Sequence, residues 1–265
     1  QAEFQPELTL PPELTLPLRR PGRGARNLQT ERKMDEHFKL TEETRVNEAG
    51  VTLHRIMATR DSRHAKAGQL GGFIEKEENL GGEAWVDGYA EVWGEALVFC
   101  HAYVGGLACV YGKARVLDNA RVYGKAHIGD YAYVGKDARV YDNACVGGMA
   151  YVGGQAEVYE RAEVYGIVRI EGEAEVTGHA QMLGWANIGR QALVEHIGDY
   201  CVFQGFGQWK FCQITAFREK NGEIGVLFGH YSETLEGFAA QIGDMPGGRT
   251  FRAIVEVIKL NFNLN

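Results

Sequence analysis

Proline nearly disappears from this chain once its first tenth is passed. Of six prolines, Pro6, Pro11, Pro12, Pro17 and Pro21 crowd the start, so the body of the chain is almost free of the residue that interrupts backbone pairing. Positive charge is also short. A net charge of −7 excludes a nucleic-acid backbone or an anionic membrane as the main partner, because both require a concentrated positive field. No apolar run approaches the roughly 18 residues that span a bilayer. The start lacks the charged n-region and apolar stretch of a signal peptide. The five cysteines, Cys100, Cys109, Cys145, Cys201 and Cys212, are an odd, scattered set without a CxxC pair. They are read as reduced thiols of a cytoplasmic protein. There is no Gly-rich phosphate loop, no GxSxG and no pair of acids in a plausible cleft. The outer positions of the repeat described below lack threonine ladders, which excludes an ice-binding surface.

Residues 1–33 differ from the rest in composition. PELTLPPELTLPLRRPGRGARN contains a direct ELTLP echo and a basic Gly/Pro run without apolar periodicity, and is expected to be disordered. Met34 opens MDEHFKLTEETR and is read as the native start, with the upstream part an expression scar or translated leader. Residues 34–80 read as a small β-rich cap. TLHRIMATRD is strand-like, Gly71 and Gly72 permit close backbone approach, and Phe73 and Ile74 are placed to cover an apolar end.

A strict repeat fills 81–196. Every sixth residue from 84 to 192 is Ala, except Val168, and two residues later every sixth position is Val, Ile or Met. Two further on comes mostly Gly, with Asp118, Asp130 and Asp142 among the substitutes. Ala and Val two apart share one face of a short strand. The Gly or Asp that follows supplies a bend where a β-branched residue would be strained. A strand and a bend every six residues give a polygon, and three sides close a triangular coil of about 18 residues. Roughly six coils, stacked at the strand spacing of about 4.8 Å, make a prism about 30 Å tall. Its Ala/Val interior is too narrow for a ligand, so function belongs on the outer faces, at the ends or between subunits. Residues 197–265 leave the phrase. Asn221-Gly222 within WKFCQITAFREKNGEIGVLFG marks a hairpin. SETLEGFAAQIGD reads as a short helix with Ser232 as N-cap, and RTFRAIVEVIKLNF as a second helix with Phe251, Ile254, Val255 and Ile258 on one stripe. This α+β module is expected to cover the last coil. The sharper alternative is a subunit contact.

The A-x-V-x-G-x phrase, with glycine directly after the aliphatic residue at Val104-Gly105, Ile128-Gly129 and Val134-Gly135, resembles the hexapeptide-repeat parallel β-helix family. The resemblance implies a left-handed coil. TEETR, LHRIMATRD, AGQLGGFIEKEENL, FREKNGEIGV and GHYSETLEGF look like a bacterial and phage-borne group of such proteins, labelled polymer-forming or transferase, over Phe38 to about Leu260. Members of that group usually carry Cys-Phe where this chain has His230-Tyr231. The fold class expected is an all-β solenoid with a small β cap before it and an α+β cap after it.

Residues 18 apart should stack, so the outer columns can be read directly. One column is Trp85, Tyr103, Arg121, Arg139, Glu157 and Glu175, with Arg139 and Glu157 an expected ladder pair. Beside it run Tyr123, Tyr141 and Tyr159, read as strand-stabilising pairs or, more sharply, as an aromatic platform for a sugar ring or protein partner. Trp85 and Tyr103 join that candidate binding set. The second face carries Glu91, Cys109, His127, Cys145 and Glu163. A zinc site on Cys109, His127 and Cys145 is opposed by distance: the outer rungs lie about 9.6 Å apart, while two zinc–sulfur bonds span about 4.6 Å. The late acids Glu160, Glu171 and Glu173, interleaved with Arg161 and Arg169, read as a solvated face.

The resemblance implies an acyltransferase as one possibility, in which a histidine takes a proton from the acceptor. His101, His127 and His179 are the candidates, with acetyl-CoA as cofactor and a site completed by a neighbouring subunit around His127 or His179. The unbroken coil favours a different reading: a non-enzymatic scaffold without cofactor, binding a protein or carbohydrate through its outer faces or its C-terminal module, the latter also a candidate homo-oligomer contact. A third expectation, end-to-end self-assembly through coil edges, is weaker.

Overall fold

The computed structural model describes residues 37–206, 209–229, 231–242 and 247–264. Residues 1–33, read above as a leader or scar, Met34 and His230 lie outside the described residues.

Residues 18 apart pair in parallel along three walls. On the first wall the column is Val86, Val104, Val122, Val140, Val158, Val176 and Val194. On the second it is Ile74, Val92, Val110, Ile128, Val146, Val164 and Met182. On the third it is Leu80, Val98, Val116, Val134, Val152, Ile170 and Ile188. Among the described residues, nineteen short strands, β4–β22, run from Trp85–Val86 to Leu193–Val194. The molecule is thus a parallel β-solenoid of about seven turns. The extra coil over the six legible in the repeat begins before the first alanine. Gly72 and Ile74 occupy the Ala and Val registers of the second wall, and Leu80 that of the third.

The alanines and aliphatic residues of the repeat are buried to within 1% of complete. Alternation along each strand sends the residue between them outward. From Gly82 to Arg190 the bend two residues after each aliphatic position is left-handed, whereas His196, after the last of them, is extended. Seven of these corners are not glycine: Cys100, Asp118, Asp130, Lys136, Asp142, Glu160 and Arg190, with φ between 55° and 62°. The acids among them have a second task. Asp118 Oδ2 accepts from the Lys136 N–H at 2.8 Å, Asp130 Oδ2 from Gly148 at 2.8 Å and Glu160 Oε2 from Gly178 at 3.0 Å. Each carboxylate caps the corner N–H one coil further on.

The strands β1 (Phe38–Val46), β2 (Thr52–Ala58) and β3 (Leu70–Ile74) form an antiparallel meander, and β3 then pairs in parallel with the Glu91–Val92 strand. This cap closes the first coil. A Cβ on Gly71 would lie 2.5 Å from the Val86 carbonyl oxygen and one on Gly72 2.6 Å from that of Ala90, so both positions require glycine's bare backbone. A buried Glu91 pairs with Arg45 of the cap.

At the other end, β23 (Tyr200–Phe206), β24 (Trp209–Arg218), β25 (Ile224–Phe228) and β26 (Tyr231–Thr234) form an antiparallel sheet in that order. Alternation divides β24 between two cores. Phe217 plugs the solenoid, while Ile214 and Ala216 pack beneath a short helix, Leu235–Gln241, and the C-terminal helix, Gly248–Asn261. The sheet is joined to the last coil by Lys220 N–H to Gln191, Asn187 N–H to Thr215 Oγ1 and a buried Arg190–Glu219 ion pair. Ser232, expected as the helix N-cap, instead pairs with Leu227 within β26. Thr234 takes the cap, its Oγ1 accepting from Gly237 N–H at 3.1 Å. No helix among the described residues is long and apolar enough to cross a membrane.

Candidate functional site

The first wall assembles part of the expected aromatic face. Tyr123, Tyr141 and Tyr159 stack along the solenoid axis, centroids 4.9 and 5.0 Å apart and planes within 4°. That separation matches the coil spacing, so the repeat itself sets it. The rings are tied to carboxylates: Tyr141 OH donates to Glu157 at 2.8 Å and Tyr159 OH to Glu175 at 2.9 Å. Arg139 closes on Glu157 at 3.0 Å, as the column spacing implies, and Lys220 of the C-terminal module lies 2.7 Å from Glu175. Burial first, then the bond to Glu157, pushes the Tyr141 phenol well above its ordinary value. Burial also raises Tyr123 and Tyr159.

Two other members of the set stand outside that column. Trp85 is fully buried, not on an outer face, because β1 to β3 fold over the coil end; its indole packs near His37. Tyr103 comes from the neighbouring column and leans to the foot of the stack, one rung before Tyr123. Its ring lies over Gly105, its hydroxyl donates to Asp87 at 2.9 Å, and His64 sits 5.6 Å from its ring. Burial, with the bond to Asp87, pushes Tyr103 up to about 12.

The second wall stacks Cys109, His127 and Cys145 on successive rungs. No group of three or more His, Cys, Asp or Glu side chains among the described residues is arranged to hold a metal ion. Burial raises both thiols, Cys109 and Cys145, away from the thiolate form a metal requires. His127 stands exposed on a flat wall. His179 lines a shallow depression with Asp142, Asn143, Glu160 and Arg161, at a corner and several coils further on. The two histidines therefore do not share a site. His101 is an exposed corner residue whose carbonyl oxygen faces the His64 imidazole.

Two surfaces lie outside the columns read from the sequence. Tyr133 and Tyr151 stack on the third wall at 5.0 Å, with the Arg169 guanidinium 4.3 Å over Tyr151. Along one corner, Tyr131, Met149, Ile167 and Trp185 recur at 18-residue spacing and stand 41–62% exposed. The spacing was visible, but Tyr131 and Met149 are turn residues, and Ile167 and Trp185 open longer strands at the same corner, outside the Ala-x-Val phrase that defines the walls. A scan against protein-family models matches none, and a search of curated proteins finds no match.

Proposed function

We propose that this chain is a rigid, non-enzymatic cytoplasmic scaffold of the hexapeptide-repeat type that binds a protein partner along its outer surface. One observation carries the reading. From Ala84 to Val194 the interior is packed with side chains that leave no lining for a ligand, and no loop interrupts the coil to build a cleft. Binding is thereby left to the outside, where the corner ridge of Tyr131, Met149, Ile167 and Trp185 presents a line of large apolar groups. Such a ridge, on the order of 400 Å² or more, belongs to the class of surface patches that mark protein contacts. The Tyr123–Tyr141–Tyr159 column, beside the preceding corner and separated from the ridge by the second wall, is a second outer surface. Its ring faces are turned toward one another along the axis, which favours a protein partner over a sugar stacked flat on the wall.

The test is capture of a binding partner by the intact chain compared with Met149→Asp and Trp185→Ser variants. Both side chains are exposed, so both variants should melt as wild type does while losing at least about tenfold in affinity. Unchanged affinity in both would refute the ridge as the contact surface. The acyltransferase alternative rests on the depression at His179.

A further inference from the structure

We infer that the C-terminal module is a two-fold pairing surface for a second copy of this chain, formed by the free edge of β23 and a second apolar stripe on the C-terminal helix. This goes beyond the scaffold reading and does not depend on it.

The helix has two stripes. Phe251, Ile254, Val255, Ile258 and Phe262 are buried against the sheet. The helix positions Thr250, Ala253, Val257 and Leu260 alternate by three and four residues, the spacing of a helix–helix seam. All four are exposed, Leu260 by 75%. Among the described residues this seam is unpartnered.

Beside it lies an unguarded strand edge. β23 is the end strand of its sheet, and among the described residues no strand pairs with its outer side. Its sequence, Tyr200-Cys-Val-Phe-Gln-Gly-Phe206, contains no charge and no proline. Soluble chains normally protect such edges with one or the other. Two other edge strands follow that rule: β1 carries Lys39, Glu42, Glu43 and Arg45, and β26 carries Glu233. A shallow groove between strand and helix, lined by Val202, Phe203, Gln204, Ala253 and Val257, joins the two features into one surface.

Geometry selects a second copy as the occupant. The C-terminal helix lies along β23 and shares its core with Ile214 and Ala216 of β24, so it rides over the two outermost strands. Antiparallel pairing of β23 with its two-fold mate would set the two helices about two strand spacings apart, on the order of 10 Å. That is the ordinary distance of packed helices, roughly 8–10 Å. The strand edge and helix seam are each roughly 20 Å long. Together they offer several hundred Å² per subunit, approaching the roughly 800 Å² of a standard interface. Thr250 and Ala253 are small enough for close approach, and an isologous contact of this kind closes on itself as a dimer.

Light scattering and sedimentation of the full 29.3 kDa chain from 1 to 100 µM test the inference. A dimer is expected. Val257→Glu and Leu260→Glu, at exposed positions, should each raise the dissociation constant at least about tenfold with an unchanged far-ultraviolet spectrum and melting temperature. As a control, Met149→Asp on the solenoid ridge should leave the dimer intact. A wild-type monomer throughout that range, a trimer, or a dimer indifferent to both helix variants would overturn the assignment. A monomer that binds an extended peptide at β23 would overturn it too, in favour of a foreign strand.

Discussion

Lys220 bridges the C-terminal module and the last coils: its Nζ lies 2.7 Å from Glu175 Oε1 and donates at 2.8 Å to the Glu173 carbonyl oxygen. Glu175 also accepts from Tyr159 OH, so one carboxylate joins the tyrosine column to the cap. Lys220, ahead of Tyr159, holds that carboxyl below the usual carboxylate range. A carboxylate whose folded value is depressed contributes its stabilisation above its unfolded value, near pH 4.3, and loses it as pH falls through the lower folded value. Lys220→Met should therefore lower stability by up to about 1 kcal/mol at pH 7 and reduce the steepness of acid destabilisation. Thermal melts from pH 7 to pH 3 check this. Parallel curves for variant and wild type would show that the bridge contributes nothing.

The corners make a prediction of opposite signs. Gly148 has φ 64°, and a Cβ there would lie 2.6 Å from the Gly166 nitrogen. Gly148→Ala should cost about 1–3 kcal/mol. Cys100 holds the same left-handed conformation, at φ 62°, with a side chain present. Cys100→Gly should gain about 0.5 kcal/mol, the left-handed penalty less glycine's entropy in the unfolded chain. Asp130→Ala leaves the Gly148 N–H uncapped and should cost about 1 kcal/mol. Denaturant midpoints of the three variants are the measurement.

Core volume should be limiting in both directions. Val140→Ala removes buried methyl groups in mid-solenoid and should cost about 2 kcal/mol. Ala138→Leu, two residues away on the same inner face, should cost at least about 1–3 kcal/mol by overpacking. Both residues are fully buried. A neutral Ala138→Leu in chemical denaturation would mean that the interior holds space the packing denies.

Alkaline titration reads the tyrosines directly. Burial, with the bond to Asp87, pushes Tyr103 up to about 12, and burial does the same for Tyr165. Their neutral forms stabilise the fold fully below the ordinary tyrosine value near pH 10, and that contribution is lost as pH rises from there through about 12. Tyrosinate absorbance should show a group of late-ionising rings, with Tyr141 later still, and Tyr103→Phe should remove one of them. Titration of every ring near pH 10 in the folded protein would contradict the stacking.

The walls were legible because each six-residue phrase meets the same surroundings in every coil, so one rule fixes Ala, Val and the corner at every repeat. The first coil was less legible because Gly72 and Glu78 stand where alanine would mark the register. Trp85 was misplaced for a different reason. Its position in the repeat faces outward, and only the return of β1 to β3 over that coil buries it. The ring stack followed from 18-residue spacing, whereas the Tyr141–Glu157 and Tyr159–Glu175 bonds join residues 16 apart, diagonally between columns. Arg45–Glu91 and Arg190–Glu219 join cap to coil across long sequence separations that no local pattern encodes. β23 and β26, flanking the legible hairpin, had no turn signal as strong as Asn221-Gly222 to announce them.

Calorimetric titration of the intact chain with acetyl-CoA tests the central claim most directly, with the subunit count fixed beforehand by light scattering. A solid solenoid acting through its outer surface predicts no saturable heat at any oligomeric state. Saturable micromolar binding, abolished by His179→Ala or His127→Ala, would contradict that account and establish a transferase site on the wall.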